Sequence, residues 1–240
     1  YEMLRSLVGS EMCIRDSSYC IVPQTRGPEI SRPADEILRE ARWLAARGCR
    51  EVVLLGQSVN SYGRDLKPAV KFEDLVAQVA EIEGIVRIRF TSPHPQEIGD
   101  DFLKMMAENP KVCRHVHLPL QSGSDRVLAR MRRGYTQGRY LELAGALKAL
   151  DPEIAISADI IVGFPGESES DFAATLEVVE RVPLDASFSF VFSPRPGTAA
   201  AEMAQTVAPD VQAERLKILQ ATQDRVTAAR LKAWEGRTVE

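Results

Sequence analysis

Cysteine, aromatic residues and long apolar runs are all scarce in this sequence. Four cysteines in a chain of this size do not indicate a disulfide framework. Two of them, Cys49 and Cys113, have no partners at metal-binding spacing, and we expect both to be structural. No apolar run approaches the roughly 18 residues of a membrane-spanning helix, and no stretch is typical of a secretory signal. These absences argue against a disulfide-rich secreted protein and predict a cytoplasmic one.

The sequence also has no excess of basic over acidic residues. The net charge of −4 argues against a chain that coats nucleic acid indiscriminately, although it leaves room for a local basic patch. The contents of 45% hydrophobic and 27% charged residues are ordinary for a folded globular protein. The 240 residues suffice for one large α/β domain but not for two full ones.

Short apolar runs alternate with helical stretches along most of the chain. The pattern predicts six strands, at 18–22, 51–55, 86–90, 116–120, 154–162 and 187–192. Helices are predicted between Pro33 and Gly48 and at about 72–82, 99–108, 124–131, 137–149, 169–182 and 210–233. Connections this short favour parallel βαβ units with right-handed crossovers, which form either an open doubly wound sheet or a barrel. The hydrophobic periodicity alone does not distinguish the open sheet from the barrel.

Polar and glycine-rich segments follow five of the predicted strands. They are residues 56–63, 91–96, 121–124, 163–167 and 193–198. Both candidate folds bind ligands at the carboxyl ends of their strands, so five such loops together predict an active-site rim. For any one loop, ordinary turn chemistry is the alternative.

Six motifs occur in chain order at the ends of the predicted strands, the first at the strand 18–22 and the other five at these loops. They are Cys20–Gly27 (CIVPQTRG), Leu55–Gly63 (LGQSVNSYG), Thr91–Pro95 (TSPHP), His117–Ser124 (HLPLQSGS) with Arg130–Thr136 (RMRRGYT), Asp159–Glu167 (DIIVGFPGE) and Ser193–Thr198 (SPRPGT). The set resembles the radical S-adenosylmethionine (SAM) methylthiotransferases from about residue 18 to the C-terminus. The resemblance implies a partial parallel (βα)6 TIM-like barrel of the radical SAM type.

The first three motifs are similar to the MiaB type, which puts a methylthio group on carbon 2 of isopentenyl-adenosine beside the anticodon of tRNA. Sister branches act on threonylcarbamoyl-adenosine in tRNA or on a ribosomal protein, and they are the alternatives. The family reaction uses one SAM molecule to methylate sulfur. Another is cleaved to a 5′-deoxyadenosyl radical, which takes hydrogen from the substrate carbon.

The resemblance also implies cofactors and partners. The cofactors are S-adenosyl-L-methionine and 4Fe–4S clusters, two in the full-length enzyme and one in this domain. The partners are a tRNA substrate and a reductant protein such as flavodoxin or ferredoxin. We further expect a monomer that needs no membrane.

The family's cluster cysteines follow a C-x3-C-x2-C spacing, which here falls on Cys13, Ser17 and Cys20. A serine hydroxyl is a poor ligand for a soft metal at neutral pH, so only two thiolates remain. The stretch Leu7–Ser17 resembles translated sequencing-adapter sequence. We therefore expect residues 1–17 to be a non-native leader, with Cys13 in register by accident. A genuine variant with a damaged cluster site is the alternative.

The resemblance places the other loop residues around the cofactor. The implied cofactor-binding residues are Gln57, Asn60, Ser92, Gln121, Ser122, Asp159 and Gly163, and the implied metal ligands are Cys20 and Cys13. Gly163 would let the backbone approach a flat adenine ring, with a plain turn before a helix as the alternative. Glu167 would then be an acid at the helix N-terminus. We interpret the histidines at 94, 115 and 117 as core or rim residues, not metal ligands.

Five arginines form a basic cluster on this otherwise acidic chain. They are Arg126, Arg130, Arg132, Arg133 and Arg139. Arginines near a barrel mouth suit tRNA phosphates or the SAM carboxylate, and a solvated helix face is the alternative. The functional interpretation is favoured for Arg132 and Arg133 only.

The resemblance also sets the expected domains. We expect residues 18–235 to be the catalytic barrel and residues 236–240 to begin a truncated C-terminal RNA-binding, TRAM-like domain. We expect the N-terminal methylthiotransferase domain to be absent and the fragment to be inactive alone. A decayed barrel that only binds RNA is the alternative from another functional class. An aldolase-type barrel is disfavoured, because no convincing lysine or carboxylate pair lies at the strand ends.

Overall fold

The computed structural model describes residues 17–27, 30–56 and 58–237. Its helices are α1 (Val22–Arg26), α2 (Ala34–Ala45), α3 (Phe72–Ala80), α4 (Asp100–Glu108), α5 (Asp125–Arg130), α6 (Gln137–Leu150), α7 (Glu169–Arg181) and α8 (Pro209–Lys232). Its strands are β1 (Glu51–Leu54), β2 (Arg87–Phe90), β3 (His115–His117), β4 (Ala155–Val162) and β5 (Ala186–Val191). The chain divides into two compact units, one centred on residues 20–117 and the other on 118–145 with 155–237.

In the first unit, β1 and β2 pair in parallel, from Glu51 opposite Arg87 to Leu54 opposite Phe90. The ring of Phe90 meets Phe72 of α3 and Phe102 of α4 edge-on, with ring centroids 5.5 Å apart in both pairs. This aromatic cluster packs both helices against the strand pair. Because the strands are parallel, the loops after β1 and β2 leave at the same end.

In the second unit, β4 and β5 pair in parallel over six residues, from Ser157 opposite Ala186 to Val162 opposite Val191. Alternate residues of β4 are fully buried: Ala158, Ile160 and Val162. Helix α8 packs against both strands and against α7. The Gln223 amide of α8 donates a hydrogen bond to the Leu184 carbonyl at 3.1 Å. The helix is therefore held by polar as well as apolar contacts.

Helix α8 is 24 residues long, and its most buried residues include charged and polar ones. They are Arg215, Leu219, Thr222 and Gln223. A helix that buries such side chains needs partners for them, which fixes its position more narrowly than apolar packing alone. Across the described ranges, we find no helix that combines the length and the apolar character needed to cross a membrane.

The prediction of a strand at 18–22 is wrong. Ser18 and Tyr19 form a turn, and α1 begins at Val22. The Ile21 carbonyl accepts hydrogen bonds from the N–H groups of Gln24 at 3.0 Å and Thr25 at 3.2 Å. Pro23 explains the difference, because a proline suits the first helical turn and cannot donate to a strand ladder.

The other five predicted strands are confirmed, although the fourth is shorter than expected. That strand was predicted at 116–120 and ends at His117 as β3. Pro119 has no N–H to give to a ladder, and its carbonyl accepts the Tyr135 hydroxyl at 3.0 Å. The predicted helices are also present, with ends that differ by a few residues from those expected.

Candidate functional site

The loops that follow β1 and β2 are joined by two side chains. Oδ1 of Asn60 accepts the His94 N–H at 2.7 Å, and its Nδ2 donates to the His94 carbonyl at 3.0 Å. The Thr91 hydroxyl accepts the Gly56 N–H at 3.2 Å and donates to the Gly56 carbonyl at 2.9 Å. Both amide atoms of Asn60 are thus engaged with backbone. Its position braces the strand-end loops, whereas its implied contact with a cofactor stays a prediction.

Two implied site residues have a left-handed backbone although neither is glycine. The φ angle is +45° at Ser92 and +63° at Gln121. Among the non-glycine residues that the structure describes, only Arg132 and Gln205 also have a positive φ angle. Such a conformation costs about 1 kcal/mol or more, and it concentrates where surrounding contacts or function impose it. Gln121 is 6% exposed, and its Oε1 accepts the Tyr19 hydroxyl at 2.9 Å. The strain lies at two of the five predicted rim loops.

Ser122 and Gly123 seat the loop after β3 on helix α7. The Ser122 hydroxyl is buried, accepts the Ser124 N–H at 3.2 Å and lies 3.4 Å from the Thr175 hydroxyl. A Cβ atom on Gly123 would come within 2.4 Å of the Ala174 carbonyl oxygen, so the backbone itself touches the helix. The Ser122 side chain is used in this packing, and its implied cofactor contact remains a prediction.

The loop after β4 is held around Gly163, which has a φ of +72°. The Gly163 N–H donates to Oε2 of Glu167 at 2.7 Å, and its carbonyl accepts the Gln212 amide at 3.0 Å. A Cβ atom at this position would lie 2.4 Å from Cγ of Gln212. Glycine is therefore required here by both backbone conformation and space. The space on that side is filled by Gln212 of α8, a contact that the implied adenine role of Gly163 did not include.

Glu167 forms a buried ion pair with Arg215 of α8. Its side chain is 1% exposed, and Oε2 lies 2.7 Å from Nη1 of Arg215. Arg215 also donates to the Glu167 carbonyl at 3.1 Å and binds Glu169 at 2.6 Å. Burial raises the pKa of Glu167, against the opposite effects of the Gly163 N–H and Arg215. The carboxylate thus ties the loop to α8, while Ser168 and Asp171 cap α7.

Two arginines of the basic cluster clamp this same loop. Arg126 donates to the Gly166 carbonyl at 2.6 Å and forms an ion pair with Asp171. Arg130 donates through Nε to the Pro165 carbonyl at 2.9 Å. Their guanidinium groups hold the backbone of the 163–167 loop, so these two residues have a structural role that the sequence did not reveal.

The remaining arginines differ in exposure. Arg133 is 7% exposed, and its guanidinium carbon lies 5.9 Å from the Tyr19 ring centroid and 6.0 Å from that of Tyr135. This burial argues against a contact of Arg133 with tRNA phosphates, whereas its alternative contact with the SAM carboxylate stays a prediction. Arg139 pairs with Glu142 at 3.5 Å. Arg132 is exposed and remains the candidate for a phosphate contact.

The Asp171 carboxylate accepts hydrogen bonds from Arg126, Ser124 and Ser168. Burial acts to raise its pKa, but hydrogen bonds from Arg126, Ser124 and Ser168 outweigh burial and lower the pKa well below its ordinary value. A depressed folded-state pKa stabilises the protein above the unfolded value of about 3.9, and this stabilisation is lost as the pH falls below that value.

We expect Asp171→Asn to lower the free energy of unfolding by about 2 kcal/mol at pH 7. The difference from the parent chain should shrink below about pH 4, because the parent carboxylate then loses its advantage. Urea denaturation at pH 7, 5 and 3 measures this. Asp35→Asn is the control, because Asp35 also lies in a first helical turn but its side chain is 82% exposed. Equal losses in both variants, or a loss that does not change with pH, would contradict the prediction.

The implied cluster ligands are incomplete in the described part of the chain. Cys20 is half-buried and not disulfide-bonded, whereas Cys13 lies outside the described residues, as does Gln57. Ser17 is 7% exposed, and its hydroxyl has no hydrogen-bond partner within the described ranges. Those ranges also contain no group of three His, Cys, Asp or Glu residues placed to hold a metal. The donors present do not fit a cluster that requires three thiolates.

Comparison with known families shows the family of this chain. Residues 7–179 match the profile of the Radical SAM superfamily. The chain belongs to the radical SAM superfamily. The match includes four of the five predicted rim loops, and it begins within the segment 1–17 that we expect to be non-native.

Two bacterial relatives of this radical SAM chain carry the same name, tRNA-2-methylthio-N(6)-dimethylallyladenosine synthase. The protein from Wolinella succinogenes is 53% identical over 212 residues, which cover 87% of this chain and 49% of that protein. The protein from Helicobacter pylori strain Shi470 is 48% identical over 239 residues, which cover 98% of this chain and 55% of that protein. The chain thus spans about half the length of these relatives.

A solved structure supports the fold assignment at low identity. A radical S-adenosylmethionine methyltransferase, TsrM, from Kitasatospora setae matches with a TM-score of 0.66 and 16% identity, over 82% of this chain and 38% of that one. At this identity the likeness concerns the fold alone. Together with the superfamily match, it confirms the predicted α/β fold of the radical SAM type, with parallel strands.

Sequence reasoning missed the contacts that α8 makes with the loop after β4. Gln212 and Arg215 lie about 50 residues beyond Gly163 and Glu167, and no local motif marks them as partners. The sequence also carried an unused signal in Phe188, Phe190 and Phe192, whose alternation places them on one face if the strand is regular. The structure buries Phe192 and leaves the other two exposed.

Proposed function

We propose that this chain is the catalytic part of a tRNA methylthiotransferase. Its substrate would be adenosine with an N6-dimethylallyl (isopentenyl) group beside the anticodon, and its product would carry a methylthio group on carbon 2. The main support is the sequence identity to two tRNA-2-methylthio-N(6)-dimethylallyladenosine synthases. It is 53% over 87% of this chain for one and 48% over 98% of this chain for the other. The superfamily match over residues 7–179 supports SAM as the cofactor.

The proposal assigns residues 18–235 to the catalytic domain and S-adenosyl-L-methionine and a 4Fe–4S cluster to its cofactors. Cys20 would be one cluster ligand. With Ser17 at the middle position, the chain as it stands does not offer the three thiolates that such a cluster needs. We therefore assign its own residues to binding and positioning only. A cytoplasmic location, a reductant protein such as flavodoxin or ferredoxin, and a monomeric state are part of the same proposal.

The chain's residues have a clear physical task in this proposal, which is to hold the rim loops rigid. Asn60 and Thr91 brace the loops after β1 and β2. Arg126, Arg130 and Arg215 fix the loop after β4 from α5 and α8. A site that must place a cofactor within a fraction of an ångström depends on such support.

Mass spectrometry of tRNA nucleosides tests the proposed function. Deleting the full-length gene in its own organism should remove 2-methylthio-N6-dimethylallyladenosine and leave N6-dimethylallyladenosine in its place. Restoring the gene should restore the product. Loss of the 2-methylthio derivative of threonylcarbamoyl-adenosine would favour the sister branch, and an unchanged nucleoside profile would rule out tRNA methylthiolation.

One observation favours a second candidate, an inactive barrel that binds RNA. It is the buried hydroxyl of Ser17 at a position where the family has a cluster cysteine. In that case, Ser17→Cys would give no gain in bound iron.

A further inference from the structure

Two phenylalanines of the second unit are exposed in a chain that buries all its others. Six of the eight phenylalanines are at most 9% exposed: Phe72, Phe90, Phe102, Phe164, Phe172 and Phe192. Phe188 is 57% exposed and Phe190 is 54% exposed, and both lie within strand β5. Aromatic side chains normally bury most of their surface, and more than half of each of these two is exposed, so the pair calls for an explanation.

The two rings share one face of the β4–β5 pair. Phe188 lies opposite Asp159, and Phe190 lies opposite Ile161. Because residues opposite each other in a parallel pair project to the same side, all four side chains lie on one face. The other face carries the fully buried Ala158, Ile160 and Val162 of β4. The two faces therefore differ. On one face β5 leaves two aromatic rings exposed, whereas on the other face the β4 residues are fully buried and the β5 residues are half-buried.

The face with the two exposed rings lies next to the predicted rim. β5 ends at Val191, and the rim loop 193–198 follows directly. β4 ends at Val162, immediately before Gly163 and the loop fixed by Arg215. The carboxyl ends of parallel strands are where folds of this class bind ligands. Phe190 is thus one residue from the end of its strand, where a bound substrate would be expected.

We propose that this face, formed by Phe188, Phe190, Asp159 and Ile161, binds the adenine of the substrate together with its apolar N6 group. The inference rests on the proposed function, which supplies a flat base with a dimethylallyl substituent. Aromatic side chains stack on nucleobases of any sequence, and two rings spaced along a strand offer a platform of the right chemistry. Ile161 is half-buried against the cluster of Phe164 and Phe192, and its remaining surface adds an apolar edge beside Phe190. The Asp159 carboxylate adds a hydrogen-bond acceptor on the Phe188 side for the N6–H of the base.

The other exposed large apolar residues do not form such a face. They are Ile30, Trp43, Leu150, Ile218 and Leu231. Each belongs to a helix surface or a loop, and single exposed apolar residues are normal on proteins. Leu231, on α8 and 63% exposed, therefore serves as the matched control.

The experiment measures binding of free nucleosides to the purified chain by ligand-observed NMR. The probes are N6-dimethylallyladenosine and unmodified adenosine. We expect the parent chain to prefer the dimethylallyl nucleoside by about tenfold, because its substituent buries apolar surface. The double variant Phe188→Ser/Phe190→Ser should weaken its binding by about fivefold or more and remove the preference. Phe190→Leu keeps an apolar side chain and should lose less. Leu231→Ser should leave both affinities within about twofold.

Three results would overturn the inference. They are unchanged binding in the Phe188/Phe190 variants, an equal loss in Leu231→Ser, and a parent chain that binds neither nucleoside. Thermal unfolding of each variant checks the fold. If the double variant is unstable, Phe190→Leu decides, since a partial loss of binding supports the inference and unchanged binding overturns it. Failure here with a positive nucleoside profile in cells would remove this binding face but leave the proposed function intact.

Discussion

Replacing Ser17 by cysteine is expected to raise the iron bound after anaerobic reconstitution to about four atoms per chain, whereas the parent chain should retain far less. The substitution completes the C-x3-C-x2-C spacing with Cys13 and Cys20. Thiolates are the ligands that hold iron–sulfur clusters, and a serine hydroxyl does not replace one at neutral pH. Colorimetric iron and sulfide assays, with the visible absorption of the cluster, measure the result without relying on turnover.

Ser17→Ala is the control, because the Ser17 hydroxyl is buried and lacks a hydrogen-bond partner in the described ranges. Such an unsatisfied group costs about 1–3 kcal/mol, so replacing it by either alanine or cysteine should maintain or increase the stability of the metal-free chain. Only cysteine should increase bound iron. No gain with cysteine would support the decayed, RNA-binding alternative, and an equal gain with alanine would show that position 17 is not a ligand position.

Arg215→Met is expected to lower the free energy of unfolding by about 3–5 kcal/mol, because it leaves the Glu167 carboxylate buried without its cation. The Glu167 side chain is 1% exposed and that of Arg215 is 6% exposed, so water cannot replace the lost partner. The double variant Arg215→Met/Glu167→Gln should recover most of the loss, since the uncompensated charge is then gone. Urea denaturation of the single and double variants measures both the loss in the free energy of unfolding and its recovery.

Arg225→Met is the matched control on the same helix. Arg225 pairs with Glu180, but its side chain is 69% exposed, and exposed ion pairs contribute about 0–1 kcal/mol. Similar losses for Arg215→Met and Arg225→Met would contradict the assignment of Arg215 as the anchor of the 163–167 loop. So would a double variant that is no more stable than Arg215→Met.

Several features of the fold were predictable because they depend on neighbours in the sequence. The period-2 and period-3.6 patterns gave five strands and the helices between them, since burying one face of each element imposes that spacing. The one failure, at residues 18–22, arose where an apolar run meets Pro23. Apolar content alone does not distinguish a short buried strand from a first helical turn.

The candidate site was predictable only in part. The strand-end loops could be located, because parallel strands bring their carboxyl ends to one side. The partners of their side chains could not be predicted, since they come from distant parts of the chain. Asn60 binds the His94 backbone, and Gly163 is covered by Gln212, 49 residues further along. Arg133 was expected to contact tRNA phosphates or the SAM carboxylate, and its burial beside Tyr19 and Tyr135 could not be predicted from the sequence.

By itself, the sequence determined the radical SAM assignment and the missing thiolate at Ser17, because motif order and residue identity are properties of the chain alone. Tertiary structure decided which polar side chains form the hydrogen bonds that hold the loops, and which aromatic rings are exposed to solvent. The physical reason is that burial and hydrogen bonding are settled between segments far apart in sequence. Nothing in the sequence distinguishes Arg215 and Glu167 from other charged residues, or Phe188 and Phe190 from other phenylalanines. Only the packing of β4, β5 and α8 makes the first two a buried ion pair and leaves the rings of the other two exposed.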